Sequence, residues 1–255
     1  MSIIGKKIVT SYFETKQVNN IKTRIMNNID WKNLPFGYMK TDYNVRCYYR
    51  DGKWGKIETS SSEEISIHMA ATCLHYGQEA FEGLKAFRCK DGKIRIFRLE
   101  ENAARLQSTC RGIMMPELPT ELFREMCIQV IKMNERFLPP YGEGASLYLR
   151  PLLIGTGAQV GVKPANEYLF MIFVTPVGPY FKGGAKPLTI RTCDFDRAAP
   201  NGTGHIKAGL NYAMSLHAIV DAHNQGYDEN MYLDSATRTK VEETGGANFI
   251  FITKD

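Results

Sequence analysis

Three observations predict a mixed α/β (α+β) chain of two domains. Two Asp-Gly pairs sit between strand-forming runs. Two stretches with apolar residues at helical spacing are followed by two continuous apolar runs of strand length. A Gly/Pro-rich segment then separates these elements from a shorter second set. The 255 residues, 44% hydrophobic and 23% charged, are enough to bury a sizeable core.

The first 29 residues carry Lys6, Lys7, Lys16, Lys22 and Arg24 against Glu14 alone, so +4 of the net charge of +5 resides there. Residues 1–30 are expected to form a basic N-terminal extension, read as a disordered tail, with a mitochondrial import signal as the alternative. The remaining chain is close to neutral, which excludes the clustered Lys/Arg face that nucleic-acid binding needs.

A small N-terminal domain is expected over 31–177. "VRCYYRDGKWGKIE" (45–58) and "KAFRCKDGKIRIF" (85–97) each set Asp-Gly between aromatic and β-branched runs, a hairpin signal. In "RLEENAARLQSTCRGIMM" (98–115), Leu99, Ala103, Leu106 and Cys110 recur at helical spacing. "TELFREMCIQVIKMNERF" (120–137) places Leu122, Phe123, Met126, Ile128, Val130, Ile131 and Met133 on a broad apolar face, with Thr120 as the expected N-cap. "ASLYLRPLLIG" (145–155) and "EYLFMIFVTPV" (167–177) read as buried strands around the connector "GTGAQVGVKPAN".

"TPVGPYFKGGAKP" (175–187) holds three prolines and three glycines, so the interdomain linker is placed at 178–187. The second domain, 188–255, is expected to contain a strand in "LTIRTCDF" (188–195), a helix over 213–225, and strands near 229–233 and 248–253.

Cysteines 47, 73, 89, 110, 127 and 193 form no CxxC pair and sit in apolar contexts, as in a reduced intracellular protein. His217 and His223 lie six residues apart, off the i, i+4 ligand spacing, and no metal site is expected. The run "YLFMIFV" stops at Thr175-Pro176, too short to cross a bilayer. The connector's GxGxxxG spacing, with Pro164 close by, does not match a dinucleotide fingerprint.

The chemistry-bearing candidates are spread along the chain. In "GTGHIKAGLNY" (202–212), Gly202 and Gly204 allow close backbone approach around Lys207, and Tyr212 follows at the entry to an apolar helix. A lysine in a partly desolvated setting has a lowered pKa and can attack a carbonyl as a free amine. In "KVEETGGANFIF" (240–251), a carboxylate precedes a Gly-Gly turn, and such a turn can present N–H groups to an anion. Were a pyridoxal ring bound, one carboxylate would have to face its nitrogen, and Glu243 suits this better than Glu242. Arg98 closes a strand just before a helix, where its guanidinium and the helix N-terminal amides could cradle a phosphate.

Together, "HYGQEAFEGLKAFR" (75–88), "RIFRLEENAARL", "LYLRPLLIG", "VGPYF", "GHIKAGLNYA" and "EETGGANFI" occur in the order found in branched-chain amino-acid aminotransferases, pyridoxal-phosphate enzymes of fold type IV. The sequence resembles that family from about Trp31 to its last residue. The resemblance implies pyridoxal 5'-phosphate as cofactor and transfer of the amino group of Leu, Ile or Val to 2-oxoglutarate. It implies Lys207 as the Schiff-base lysine and proton shuttle, and Tyr212 on the cofactor's phenolic oxygen. Glu243 would face the pyridine nitrogen, Arg98 would hold the phosphate, and Arg197 would be a second arginine near it. Tyr76, Phe81, Tyr148 and Arg150 resemble the pocket for aliphatic side chains and carboxylates. Val160 and Val162 match an apolar loop that covers the partner's site in a homodimer.

The resemblance further implies a cytoplasmic enzyme with small-molecule substrates, binding neither nucleic acid nor membrane. The chain ends at Asp255, just after the strand that follows Glu243, whereas the family's large domain continues. The expected second domain is therefore incomplete in this chain. The alternatives are a D-amino-acid aminotransferase or aminodeoxychorismate lyase of the same fold, or a non-catalytic truncated fragment.

Overall fold

Asp51 and Gly52, one of the two Asp-Gly pairs, both have positive φ (51° and 74°), as a two-residue type I′ turn requires. They join β2 (Asn44–Arg50) to β3 (Lys53–Trp54) in a computed structural model that describes residues 10–13, 29–179, 187–197, 199, 201–246 and 248–254. The chain forms two compact units, Met1–Lys182 and Gly183–Asp255. Most of the expected linker, residues 180–186, lies outside the described residues, as do 1–9 and 14–28 of the N-terminal extension.

The other Asp-Gly pair solves a different turn. Between β6 (Leu84–Arg88) and β7 (Ile94–Phe97), Gly92 N–H donates to Cys89 O at 2.9 Å and only Gly92 takes positive φ, at 76°. Cys89 N–H then donates to Lys93 O at 2.9 Å, giving the longer turn with a glycine bulge.

The first unit is built on an antiparallel sheet in the order β1-β7-β6-β8-β9-β2-β3, with β1 (Thr10–Phe13), β8 (Ser146–Gly155) and β9 (Tyr168–Val177). β4 (Glu58–Ser60) pairs with β2, and β5 (Glu79–Phe81) pairs with β8. Residues 10–13, expected within a disordered tail, instead form a strand on the open edge of β7, whose unpaired backbone groups accept a partner.

β8 and β9 share ten residue pairs, from Ser146↔Val177 to Gly155↔Tyr168. Pro151 sits within β8, where a proline would ordinarily break the ladder. Its carbonyl accepts from Glu82 N–H at 2.9 Å, so its missing donor falls in the gap where β5 stops and β6 begins.

Alternation sorts the two faces. Val45, Cys47, Ala86, Ile96, Leu147, Leu149, Leu153, Phe170 and Ile172 enter the main core. That core is closed by α2 (Leu99–Gly112) and α3 (Thr120–Met133) through Leu99, Leu106, Phe123, Met126 and Ile131. The opposite face carries a smaller cluster, Ile154, Leu169 and Met171.

Both helices fall where periodicity placed them, with two corrections. Pro119, not Thr120, occupies the N-cap of α3; its carbonyl accepts Phe123 N–H at 3.0 Å, and no side chain caps the helix. The helix ends at Met133 because Asn134 leaves it, with φ −116°. Fully buried, Asn134 accepts from the N–H groups of Asp42 and Tyr43 at 3.0 Å and donates to Tyr43 O and Val130 O at 2.9 and 2.8 Å.

In the second unit, β10 (Ile190–Thr192) runs parallel to β11 (Glu229–Leu233), linked through α4 (Gly209–Asn224), and β12 (Val241–Thr244) returns antiparallel. The expected helix thus begins four residues early, which brings Tyr212 inside its first turns. The strand expected at 248–253 is not formed. Asp234 accepts the N–H groups of Thr237, Thr239 and Lys240 (2.7–2.9 Å), and this turn sets 241–244 against β11 instead. Ile250, Phe251 and Ile252 are 81%, 69% and 93% exposed.

Replacing Asn134 with alanine removes the partner of two half-buried donors, Asp42 and Tyr43 N–H, and of the acceptor Tyr43 O, while Val130 O keeps the backbone N–H of residue 134. The expected cost is about 3 kcal/mol of unfolding free energy, measured by urea titration with circular dichroism; a loss below about 1 kcal/mol would contradict this accounting.

Candidate active site

The glycine-rich loop ahead of Lys207 is held by one asparagine. Asn211, in the first turn of α4 and buried, donates from Nδ2 to Thr203 O at 2.6 Å and to Ile206 O at 3.0 Å, while its Oδ1 accepts from Thr203 Oγ1 at 2.8 Å. A Cβ on Gly202 would meet Ala199 Cβ at 2.9 Å, so the close approach expected of that glycine is used. The clamp fixes the backbone immediately before Lys207. The Lys207 ammonium, half-buried, donates to the Tyr212 hydroxyl at 2.5 Å.

Arg197 connects this pair to Glu243. Its side chain is 4% exposed, its guanidinium lies 4.8 Å from the Tyr212 ring centre, and Nη1 donates to Asn211 O. Nε stands 3.4 Å from Glu243 Oε1 without forming a hydrogen bond. Glu242 is exposed whereas Glu243, opposite Tyr232 in the β11–β12 ladder, is half-buried. Burial pushes the Glu243 carboxyl above its ordinary value; Arg197 pulls against this, Glu242 reinforces it, and Lys207 opposes it. Lys207, Tyr212, Arg197 and Glu243 therefore converge within the second unit.

The turn after Glu243 departs from expectation. Gly245 N–H donates to Asn230 O at 3.2 Å and Gly246 N–H to Glu229 Oε2 at 3.0 Å. Both donors are satisfied within the chain, so neither is left for a bound anion.

In the first unit, Phe81, Tyr148 and Arg150 lie together on the sheet face away from α2 and α3. The Arg150 guanidinium is 5.0 Å from the Phe81 ring centre and 5.3 Å from that of Tyr148, and its Nε donates to the Tyr148 hydroxyl at 3.2 Å. Gly83 is required here, because a Cβ would fall 2.3 Å from that hydroxyl. Tyr76, at the end of α1 (Thr72–Tyr76), donates instead to Val160 O in the connector, where Val160 and Val162 are 86% and 88% exposed. Arg98 takes left-handed φ and ψ (51°, 46°) at the N-cap of α2, and its guanidinium pairs with Glu101 at 3.0 Å.

Sequence reasoning missed three residues. Asn211 lies just outside the helix expected over 213–225, and Glu229 stands at the start of the strand expected near 229–233, and neither was given a role. The third, Glu82, is fully buried and held by Arg105 (2.7 Å, two contacts) and Asn102 (2.8 Å). The i, i+3 spacing of Asn102 and Arg105 was the only signal of a shared partner.

Comparison with known proteins gives this geometry a family. The model described as "Amino-transferase class IV" matches residues 79–255. The chain belongs to the class IV aminotransferases. The branched-chain-amino-acid aminotransferases of Haemophilus influenzae and Helicobacter pylori are each 52% identical, over 235 and 232 residues, covering 90% of this chain and 68% of theirs. Among solved structures, the Escherichia coli branched-chain amino acid aminotransferase is similar with a TM-score of 0.62 and 27% identity, covering 81% of this chain and 64% of that one. The T.th. branched-chain amino acid aminotransferase with pyridoxamine 5'-phosphate gives 0.66 and 27%, covering 82% and 64%. The aminotransferase chain thus spans about two thirds of the relatives it matches, and its mixed α/β fold is that of fold type IV. Among the described residues no helix is long and apolar enough to cross a membrane.

The raised folded-state value of Glu243 predicts a pH effect of definite sign. The unfolded carboxyl titrates near 4.5, so the folded state binds this proton more tightly. That contribution to stability is complete below the unfolded value and is lost as pH rises through the folded one. Compared with wild type, Glu243→Gln is expected to gain in relative stability as pH rises above the unfolded value of 4.5, measured by urea titrations from acid to neutral pH. A difference that stays flat or falls with pH would refute the assignment.

Proposed function

We propose that this class IV aminotransferase binds pyridoxal 5'-phosphate and exchanges amino groups between branched-chain L-amino acids and 2-oxoglutarate. The observation that carries the reading is the convergence of Lys207, Tyr212, Arg197 and Glu243. These residues fit the cofactor: an amine for its carbonyl, a phenol for its phenolic oxygen, and a half-buried carboxylate for its ring nitrogen. The buried Arg197 Nε, which has no hydrogen-bond partner, provides further polar capacity at the same place. When bound, the cofactor supplies a carbonyl that carries amino groups and a conjugated ring that takes up electron density.

The chain's own residues do the remaining work. Lys207 holds and moves the proton at the substrate α-carbon, and the Tyr212 hydroxyl orients its amine. Glu243 holds a proton at the ring nitrogen, and Arg197 favours the ionised form of Glu243 across 3.4 Å. Arg98 is assigned to the phosphate, a role that requires its guanidinium to exchange Glu101 for a stronger anion. Phe81, Tyr148 and Tyr76 suit aliphatic side chains, and Arg150 suits the distal carboxylate of glutamate by forked hydrogen bonding. The exposed Val160 and Val162 are assigned to the cover of a partner's site in a homodimer. A cytoplasmic location accords with the cysteine usage.

Purified protein with added cofactor is expected to show a visible absorption band and to transaminate L-leucine with 2-oxoglutarate. D-alanine and aminodeoxychorismate are expected to be poor substrates. Lys207→Ala is expected to abolish the band and to lower the rate by at least about 10²–10⁴-fold. Arg150→Met is expected to raise KM for glutamate by about tenfold, with a smaller effect on leucine. An unchanged band in Lys207→Ala would overturn the lysine assignment.

A further inference from the structure

Glu229 is a buried carboxylate, 4% exposed, at the start of β11, and no role assigned so far uses it. Its Oε1 accepts from Asn230 N–H at 2.9 Å and its Oε2 from Gly246 N–H at 3.0 Å. Gly245, between Glu243's strand and that second contact, packs against the same carboxylate: a Cβ there would lie 2.7 Å from Oε1. The chain after Glu243 thus closes round Glu229, and Gly245 N–H adds a bond to Asn230 O at 3.2 Å. On its other side, β12 is offset by the irregularity between Tyr232 and Leu233. Glu243 therefore sits between a register shift and a turn anchored by a charged acceptor.

We propose that Glu229 is a positioning residue: it anchors the turn at Gly245 and Gly246 and thereby sets the direction in which Glu243 presents its carboxylate to the cofactor. The inference rests on the cofactor reading proposed above. The bond from Gly246 N–H to the Glu229 carboxylate ties the turn to β11, and the bond from Asn230 N–H fixes that carboxylate on its own strand. Gly245 is needed because only a missing side chain lets the backbone pass so close to the carboxylate.

The test uses Glu229→Gln and Gly245→Ala. Glutamine keeps the volume but sets an amide donor against one of the two peptide donors. Alanine leaves the carboxylate in place and pushes on it from the turn. The readouts are the visible absorption maximum of added pyridoxal 5'-phosphate and its dissociation constant, both normalised to folded protein by circular dichroism. Each variant is expected to shift the maximum, because the direction in which Glu243 presents its carboxylate to the ring nitrogen changes the electron demand of the conjugated ring. Glu229→Gln is expected to weaken binding about tenfold, the scale of one lost charge-assisted hydrogen bond. Should Glu229→Gln fail to fold, Gly245→Ala decides alone.

Folded variants with the wild-type maximum and affinity overturn the proposal, even if their melting temperatures fall, because a purely structural role moves only the latter. A wild-type chain that shows no band overturns the cofactor reading itself, and this proposal with it.

Discussion

The ten-pair ladder between β8 and β9 is the constraint on which the first unit is organised. Once its register is set, each residue of β8 is committed to one face, since a slip of one residue would exchange the two. Leu147, Leu149 and Leu153 go to the helix-covered core, so Tyr148 and Arg150 must point the other way. The same parity places Phe81 of β5 beside them. The candidate substrate residues are thus gathered by the requirement that their neighbours be buried. Even the awkward Pro151 is accommodated, because β5 and β6 leave a gap opposite its nitrogen.

The second unit depends on buried polar groups instead. Its apolar core cluster is small, Cys193, Ala218 and Tyr232, and Met214, Leu216 and Val220 of α4 are exposed. Precision around Lys207 comes from Asn211, which satisfies the backbone of the loop before it, and around Glu243 from Glu229, which satisfies the turn after it. Unmet, these backbone groups would each carry a desolvation cost. The arrangement therefore has few ways to relax.

Much of the fold was legible because its elements are strongly periodic. Leu99, Ala103, Leu106 and Cys110 are all buried as their spacing required, and the two long apolar runs became β8 and β9. The misreadings have physical causes. "FIFI" has strand composition, yet strand formation needs a partner, and the Asp234 turn gave β11 to 241–244. The helix start was misplaced because Asn211 is a weak helix former in isolation, while its side chain here stabilises the first turn through the preceding loop. Both Asp-Gly pairs marked turns, but loop length and bulge gave them different geometries.

The residue types of the candidate site, and the family they point to, were written in the sequence, because an amine, a phenol, a carboxylate and arginines in fixed order form a chemical pattern that needs no coordinates. What the tertiary structure alone decided is which of them face one another. Arg197 could be assigned only loosely from its position; the fold buries it against Tyr212 and Glu243. The Gly-Gly turn looked ready for an anion, yet both its donors are already taken by β11. Glu229 carried no signal at all, since a carboxylate reads as solvated until a distant turn folds over it. Such pairings join residues far apart in sequence, and their geometry is set by strand register and burial rather than by local pattern.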